Sequence, residues 1–562
     1  MTGYKLPNCQ DDCFCPSLNL TVNNALENCK GIGLQPCEAC NQLLELEARI
    51  LSAHDILVDL KAKYQAAKAK VNNKHDRFSG PIPVEVVSRI FESYIEAADD
   101  EVDDTHIPKD PAHGHHDQPL EGYVRSGKAL AKSLTTLTSV CSNWQHIART
   151  TPSLWTSIVI PIDGDMTSSG QSMPEMVEAW LGRSGGLPVN ITIYEVDEYI
   201  ISKPSIKPIV ELVLKYITRW SSLRVHSPNS EKLLFDGFAA SPASARVLQH
   251  VEFAGDTFSA PISDVPTLRT LRMFGQPSQG LGNCWQYLTV LRFDMIAIRD
   301  AFTVLCYAIR VVDCTLWISG NRENLPKTPL KKIVRPHLRN LAFGGANHTY
   351  RGGLPFSILD IILRYVEAPS LDTLVLKEFW GGSSYLHGPT LFSEMVAIFR
   401  EWIQQTVLTK VTITGVNHLR DNEFLQIFEG MPNTVKHVIV SSAERRLLGW
   451  NLILDLFFQD LHKSNNVLLP NLNRLEYWGC QNFQWMDVVN TLRMRGATSV
   501  DGLRLDFHLY TGGRYLDARK HDLDHQIVSE ILSLKALPGL CINITDADDN
   551  SDLLEKVLQA EK

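Results

Sequence analysis

A surplus of positive charge is missing from this chain, and no stretch of it is basic enough to track a phosphate backbone. Its 562 residues hold 54 Lys and Arg against 63 Asp and Glu, a formal net charge of -9. Nucleic-acid binding has no electrostatic footprint here. Long apolar runs are missing too: none approaches the roughly 20 residues of a membrane helix. The opening MTGYKLPNCQDDCFC has no basic-then-apolar leader. The expected compartment is cytoplasmic or nuclear, with no membrane partner. Common catalytic signatures do not occur: there is no Walker loop, no Gly-x-Ser-x-Gly elbow and no His-Glu-x-x-His pair. No catalysis and no cofactor are expected. Glycine-rich AFGGANHTYRGG (342–353) lacks the Lys-Ser/Thr ending of a phosphate loop and reads as a connection between repeats.

Cysteine is scarce over most of the length. Half of the 12 cysteines fall in the first 40 residues: Cys9, Cys13, Cys15, Cys29, Cys37 and Cys40. Cys37-x-x-Cys40 has zinc-ligand spacing, but a second clean pair is missing, because Cys13-x-Cys15 is too tight. No metal is expected; Cys37 and Cys40 are the candidates if one binds. Residues 1–40 read as a Cys-rich, poorly ordered tail. The remaining cysteines read as small core residues.

What is present is apolar content of 44%, enough for a large core, in a chain too long for one ordinary domain. Leu43, Leu46, Ile50, Ala53, Leu57, Leu60, Tyr64, Ala67 and Val71 recur in unbroken steps of three and four. That is a heptad seam and predicts one helix over 41–73. The seam either pairs with a second copy, giving a homodimer, or lies along the protein's own surface. Gly80 and Pro81 stop it, and SGPIPVEVVSRIFESYIEA then starts a short helix at 84–96. Pro83 suits its first turn, and Glu85 the positive end of its dipole. Residues 97–128, acidic and rich in Pro and Gly with His106, His113, His115 and His116, read as a solvated loop. Order returns along Leu130, Leu134, Leu137, Val140, Cys141, Trp144, Ile147 and Ala148. Thr151 reads as an N-cap before Pro152, with Leu154 and Trp155 on the next turn.

Ile82, Pro83, Glu85, Val86, Ile90 and Phe91 resemble the first helix of an F-box. Val140, Trp144, Ile147, Leu154 and Trp155, within VCSNWQHIARTTPSLW, resemble its second half. The likeness covers 81–97 and about 130–158, with two separated signatures in the right order. The heptad helix ahead of it and WLGRSGGLPVNITI at 180–193 also resemble F-box families abundant in fungi. The resemblance implies a trihelical module, 81–158, that docks a Skp-type linker on a cullin-based ubiquitin ligase through those residues. The segment at 97–128 is longer than the family normally allows.

Beyond residue 160 a second pattern repeats. PTLRTLRMF, PHLRNLAFG, PSLDTLVLK and PNLNRLEYW, from Pro266, Pro336, Pro369 and Pro470, share Pro-x-Leu-x-x-Leu. Looser copies begin at Trp220, Leu248, Leu288, Val311, Leu408, Val435, Val500 and Leu537. Helix-like segments such as FSILDIILRYVEA lie between them. Strand, turn and helix at this period is the leucine-rich-repeat plan. The expected fold is therefore α/β: an irregular parallel-stranded solenoid over 160–545, preceded by an all-α module and the heptad helix, with an acidic tail at 546–562 that reads as a linker and one short helix. A Rossmann-like sheet would also alternate strand and helix, but no Gly-x-Gly-x-x-Gly follows a strand. Phe379, Trp380 and Tyr385, beside His387 in a loop after a repeat strand, are the candidates for substrate contact. The functional expectation is a substrate receptor of an SCF-type ubiquitin ligase. The alternative is a non-catalytic repeat scaffold whose F-box is vestigial or used outside ubiquitination.

Overall fold

The computed structural model describes residues 38–74, 81–104, 118–162, 173–195, 206–239, 244–253, 257–258, 265–274, 276–277, 284–319, 332–345, 362–377, 394, 396–414, 426–441, 469–479, 485–496, 503–509, 525–536, 540–546 and 551–559. They form two compact units that divide at Arg219/Trp220. The architecture is α/β. Eighteen strands in parallel pairs are described, two in the first unit and sixteen in the second, where Thr257–Phe258 with Gln276–Pro277 and Ile333–Val334 with Val366–Glu367 form two short pairs apart from the main sheet. No described helix is long and apolar enough to cross a membrane.

In the first unit one unbroken helix, α1 (Glu38–Lys74), carries the heptad seam a little beyond the expected 41–73. The described residues do not cover that seam: Leu46, Ile50, Leu57, Leu60, Tyr64 and Val71 are exposed. Near its C-terminal end α1 is tied down by Asn72, whose Nδ2 donates to the Val140 carbonyl at 2.5 Å.

Three helices follow, α2 (Val84–Asp104), α3 (Gln118–Ser139) and α4 (Ser142–Thr150), then a single 3-10 turn, Pro152–Trp155. Pro83 stands ahead of α2, and its carbonyl accepts from the N–H groups of Val86 and Val87 at 3.0 and 3.1 Å. A proline there costs no helical hydrogen bond. The helices close on one core of Val87, Phe91, Leu134, Leu137, Ile147, Ala148, Leu154 and Trp155. Trp144 tilts against Phe91, and Trp180 meets Trp155 edge-on, each with ring centres 5.0 Å apart. The Trp155 indole N–H donates to the Ala148 carbonyl at 2.8 Å, so this buried ring leaves no polar atom unmet.

Two local expectations are corrected. The segment 97–128 is not a loop throughout: α2 runs on to Asp104 and α3 begins at Gln118. A formed helix extends at little cost through residues such as Ala97 and Ala98, and Pro119 is tolerated in a first turn. Gly127 lies so close to Val159 that a β-carbon there would come within 2.7 Å of its methyl group, so this end of the segment is packed structure. Thr151, expected to cap the turn after it, caps nothing with its side chain. Its hydroxyl donates back to the Ile147 carbonyl at 2.7 Å and shares a 2.9 Å hydrogen bond with Ser88, joining α4 to α2. A one-turn helix has few orphan N–H groups, and Leu154 already reaches the Thr151 carbonyl at 3.3 Å. The cap of α4 is instead Cys141, whose Sγ accepts from the Trp144 N–H at 3.4 Å.

Strands β1 (Ser157–Ile162) and β2 (Val189–Glu195) pair in parallel from Ser157↔Asn190 to Ile162↔Glu195, joined by α5 (Met173–Arg183). Gly185, at φ +59, ends α5 in the left-handed conformation that glycine adopts without strain. After α6 (Lys207–Lys215), Arg219 donates to the Leu187 and Leu181 carbonyls at 2.8 and 3.3 Å, satisfying groups left open by that turn.

The second unit is a parallel sheet of β3 (Trp220–His226), β4 (His250–Phe253), β5 (Thr270–Phe274), β6 (Val290–Ala297), β7 (Asp313–Ser319), β8 (Asn340–Gly345), β9 (Thr373–Lys377), β10 (Lys410–Thr414), β11 (His437–Ser441), β12 (Arg474–Gly479), β13 (Leu503–Leu509) and β14 (Leu540–Asp546). Strand order follows chain order and never reverses. A doubly wound sheet has a switch point where order reverses; this one has none among the described strands. Helices α7 (Pro228–Ala239), α8 (Ile298–Tyr307), α9 (Trp485–Gly496) and α10 (His525–Lys535) lie in the connections.

The proline motif now has a physical explanation. Each of its four copies starts a strand four residues on, at Thr270, Asn340, Thr373 and Arg474. The residue before the proline accepts a backbone bond from the motif's first leucine: Leu268 to Val265 at 3.3 Å, Leu338 to Arg335 at 3.3 Å, Leu371 to Ala368 at 3.1 Å, Leu472 to Leu469 at 3.0 Å. Proline at the second position of such a turn arrives with φ already set. The next N–H groups then pair with the preceding strand, as Asp372 does with the Arg339 carbonyl at 2.8 Å. Both motif leucines are buried in all four copies. The second forms a register row, Leu341–Leu374–Val411–Val438–Leu475–Leu505, buried throughout. All eight looser copies also lead into strands.

The short helix expected at the C-terminal end is α11 (Leu553–Gln559), and it is docked on β14. Leu553 and Leu554 are buried, Asp552 accepts from the Leu554 N–H at 2.8 Å, and Lys556 pairs with Asp546 at 3.1 Å.

Candidate functional site

Two surfaces concentrate side chains that the fold itself does not use. The first lies on α2. Residues four apart share a helix face, and this helix carries two apolar rows side by side. Val87 and Phe91 point inward, with Ile95 beside them. Val86, Ile90 and Tyr94 form an outer row, 47%, 41% and 45% exposed. A helix whose apolar arc is wider than its own module can bury has surface left for a partner. Of the residues singled out by sequence, Pro83, Glu85, Val86 and Ile90 are exposed, while Ile82, Val140 and Trp144 are half-buried. Phe91, Ile147, Leu154 and Trp155 are buried in the module's core, so they hold the outer row in place rather than form it.

The second surface is the sheet face turned away from the apolar rows. Side chains alternate along a strand, so the residues next to each second motif leucine point there. Arg224, Glu252, Arg272 and Arg292 make one register row across β3–β6. Glu252 has His226 Nε2 at 3.4 Å, Arg272 at 3.3 Å and Arg224 at 3.8 Å. Asp294 is fully buried; its Oδ2 meets Arg292 Nε at 3.3 Å, while its Oδ1 has no hydrogen-bond partner among the described residues. The strand bulges directly after it, with Met295 at φ 72, and such bulges re-aim the side chains beside them. Burial holds the Arg292 guanidinium below its ordinary value, against the pull of Asp294.

Further along the same face, Lys377 on β9 reaches over Gly344 on β8 to place its ammonium 5.4 Å from the centre of the Trp317 ring on β7. A β-carbon at Gly344 would collide with the Lys377 carbonyl oxygen, a backbone atom that cannot step aside. Gly344→Ala is expected to destabilise the second unit by about 3 kcal/mol, the upper end for overpacking. Urea unfolding of the purified variant measures this, and an unchanged midpoint would show that the strands separate freely.

At β11–β13 the face gathers His437, Arg474, Glu476, Trp478, Arg504, Asp506 and His508. Asp506, nearly buried, accepts from Arg474 Nε at 3.0 Å, Arg504 Nε at 2.8 Å and Asn543 Nδ2 at 2.7 Å. His508 stacks on Trp478 at 3.8 Å, and the Trp478 indole donates to Glu476 at 2.7 Å. Burial works to raise the Glu476 pKa. The His437 ring, the Trp478 indole, the Arg474 charge and the His508 ring together outweigh it and bring it from 4.5 to about 2. A carboxyl depressed in the fold stabilises it fully above the unfolded pKa and loses that contribution as pH falls toward the folded one. The stability difference between the native chain and Glu476→Gln is therefore expected to be constant above about pH 5 and to shrink between pH 4.5 and about 2. Denaturant titrations across that range test it; a difference independent of pH would remove the charged network.

Phe379, Trp380 and Tyr385 lie outside the described residues, as does Cys37; Cys40 falls in the first turn of α1, and its side chain is not described. Among the described residues no group of three or more His, Cys, Asp and Glu could hold a metal ion. Burial pushes the Cys284 and Cys314 thiols up to about 12, so both stay protonated and serve packing. The charged rows were not anticipated. Their signal was present as charges in the alternate positions of LRMF, LRFD, LEYW and LRLDFH, which become one surface only when the strands are set in register. No protein-family model matches the chain, and no curated protein matches it in sequence.

Proposed function

We propose that the chain is a substrate-recognition subunit of an SCF-type ubiquitin ligase, working in the cytoplasm or nucleus. Residues 81–158 act as an F-box that docks a Skp-type linker and, through it, a cullin scaffold. The region beyond is a leucine-rich-repeat-like solenoid whose polar sheet face receives the target protein. The observation that carries this reading is the exposed row Val86–Ile90–Tyr94 on a helix whose neighbouring row, Val87 and Phe91, is the core of a small trihelical module. Small helical units complete their apolar burial against partners. The sheet face supports the second half of the reading: it offers paired charges and aromatic rings, the groups that recognise protein surfaces. Such a subunit performs no chemistry; it raises the effective concentration of a target at the ligase.

The length of α2 and α3, which run into 97–128 from either side, favours a second reading, a repeat scaffold whose module no longer takes the linker. Co-expression with a Skp-type linker and a cullin separates the two. A stable complex that recruits the cullin is expected. A folded chain that purifies without the linker would leave the scaffold.

A further inference from the structure

The seam on α1 is long, exposed and unused by either proposed surface. Leu46, Leu57, Leu60, Tyr64 and Val71 are each more than half exposed, over a helix of 37 residues. An isolated helix surrounded by water has no reason to keep nine apolar residues in unbroken heptad steps. The charges on the same helix are not mixed. From Glu38 to Leu60 it carries five acids, Glu38, Glu45, Glu47, Asp55 and Asp59, against the single Arg49. From Lys61 to Lys74 it carries five lysines, Lys61, Lys63, Lys68, Lys70 and Lys74, and no acid.

We infer that α1 pairs with α1 of a second copy of this chain, in antiparallel orientation. The apolar seam supplies the attraction and the charge division sets the direction. Two copies side by side in parallel would place five lysines against five lysines, with the acidic halves opposed as well. Turned head to tail, each acidic half lies along the partner's basic half, and the two helix dipoles also oppose. Each exposed ion pair is worth little alone, but the choice between orientations sums all of them with opposite sign. Centred near Leu57, the antiparallel register sets Glu47 beside Lys68, both at positions flanking the seam. The seam of nine apolar residues, on a helix of 37 residues or about five heptads, is the repeat on which two helices pair. The pairing is independent of the linker, which contacts α2.

Sedimentation velocity of the full chain across a range of concentrations is expected to show a monomer–dimer equilibrium. Leu57→Ser with Leu60→Ser is expected to raise the dissociation constant at least 100-fold. Both side chains are exposed in the single chain, so circular dichroism should show the fold kept. Orientation is read by zero-length carbodiimide crosslinking of mixed isotopically light and heavy chains. Within one helix Glu47 and Lys68 are about 32 Å apart, beyond the reach of such a bond. Mixed-isotope peptides joining Glu45 or Glu47 to Lys68 or Lys70 are the expected result. A monomer at all concentrations overturns the pairing. A dimer whose mixed-isotope crosslinks join only Asp59 to Lys61 or Lys63, near neighbours in either chain of a parallel pair, overturns the orientation.

Discussion

Leu374→Asp is expected to unfold most of the second unit, and Leu475→Asp to do the same from a strand three further along the sheet. Leu374 is fully buried and Leu475 is 2% exposed. Both belong to the apolar row that runs through Leu341, Val411, Val438 and Leu505. Removing a buried leucine loses about 2–3 kcal/mol of burial. Placing an unpaired carboxylate there costs several kcal/mol more, whether it stays charged or takes up a proton. The sum, about 5 kcal/mol or above, is comparable to the whole stability of a typical domain. The loss also spreads, since the row is continuous from strand to strand. Thermal unfolding followed by circular dichroism, with dye binding to exposed apolar surface, measures it. Val375→Asp, one residue along on the polar, half-buried face, is the control and should cost far less. A Leu374→Asp protein that melts cooperatively near the native temperature would mean that this row is not the core.

The second large effect concerns binding. Pro83→Ala combined with Ile90→Glu is expected to abolish co-purification with a Skp-type linker while leaving the trihelical module folded. Ile90 is 41% exposed and is not part of the buried cluster behind it. The Pro83 carbonyl, which starts α2, is kept by alanine. A glutamate that is solvated in the free chain would be stripped of water in the complex with no partner, a loss of about 3 kcal/mol or more, which is over 100-fold in affinity. Phe91→Ala is the contrasting variant: it empties the core and should lower stability by about 3–5 kcal/mol, so its loss of binding would carry no information about the surface. Native-like linker capture by the folded double variant would sink the docking proposal.

The amino-acid sequence by itself determined where the strands begin and which leucines are inside. A proline at the second position of a turn, two leucines three apart and an alternating strand are local requirements of one backbone path, so Leu268, Leu338, Leu371 and Leu472 were readable without a partner. The single helix 38–74 was readable for the same reason, because a heptad is a property of one segment. Tertiary structure decided everything that depends on two segments meeting. The period of α2 gives two apolar rows, yet only the arrival of Leu134, Ile147 and Trp155 decides that Val87 and Phe91 are core and Val86 and Ile90 are surface. Cys141 is buried, as its sequence setting suggested, but only the fold made it also the cap of α4, because its thiol faces the Trp144 N–H. Thr151 looked like a cap and became a link to Ser88, 63 residues away. The charged face needed the register of twelve strands before Arg272 could answer Glu252, or Arg474 could answer Asp506 across 32 residues of chain. Hydrophobic patterning is read along the chain; charge pairing across a sheet is fixed between strands, and distances between strands are not written in either strand alone.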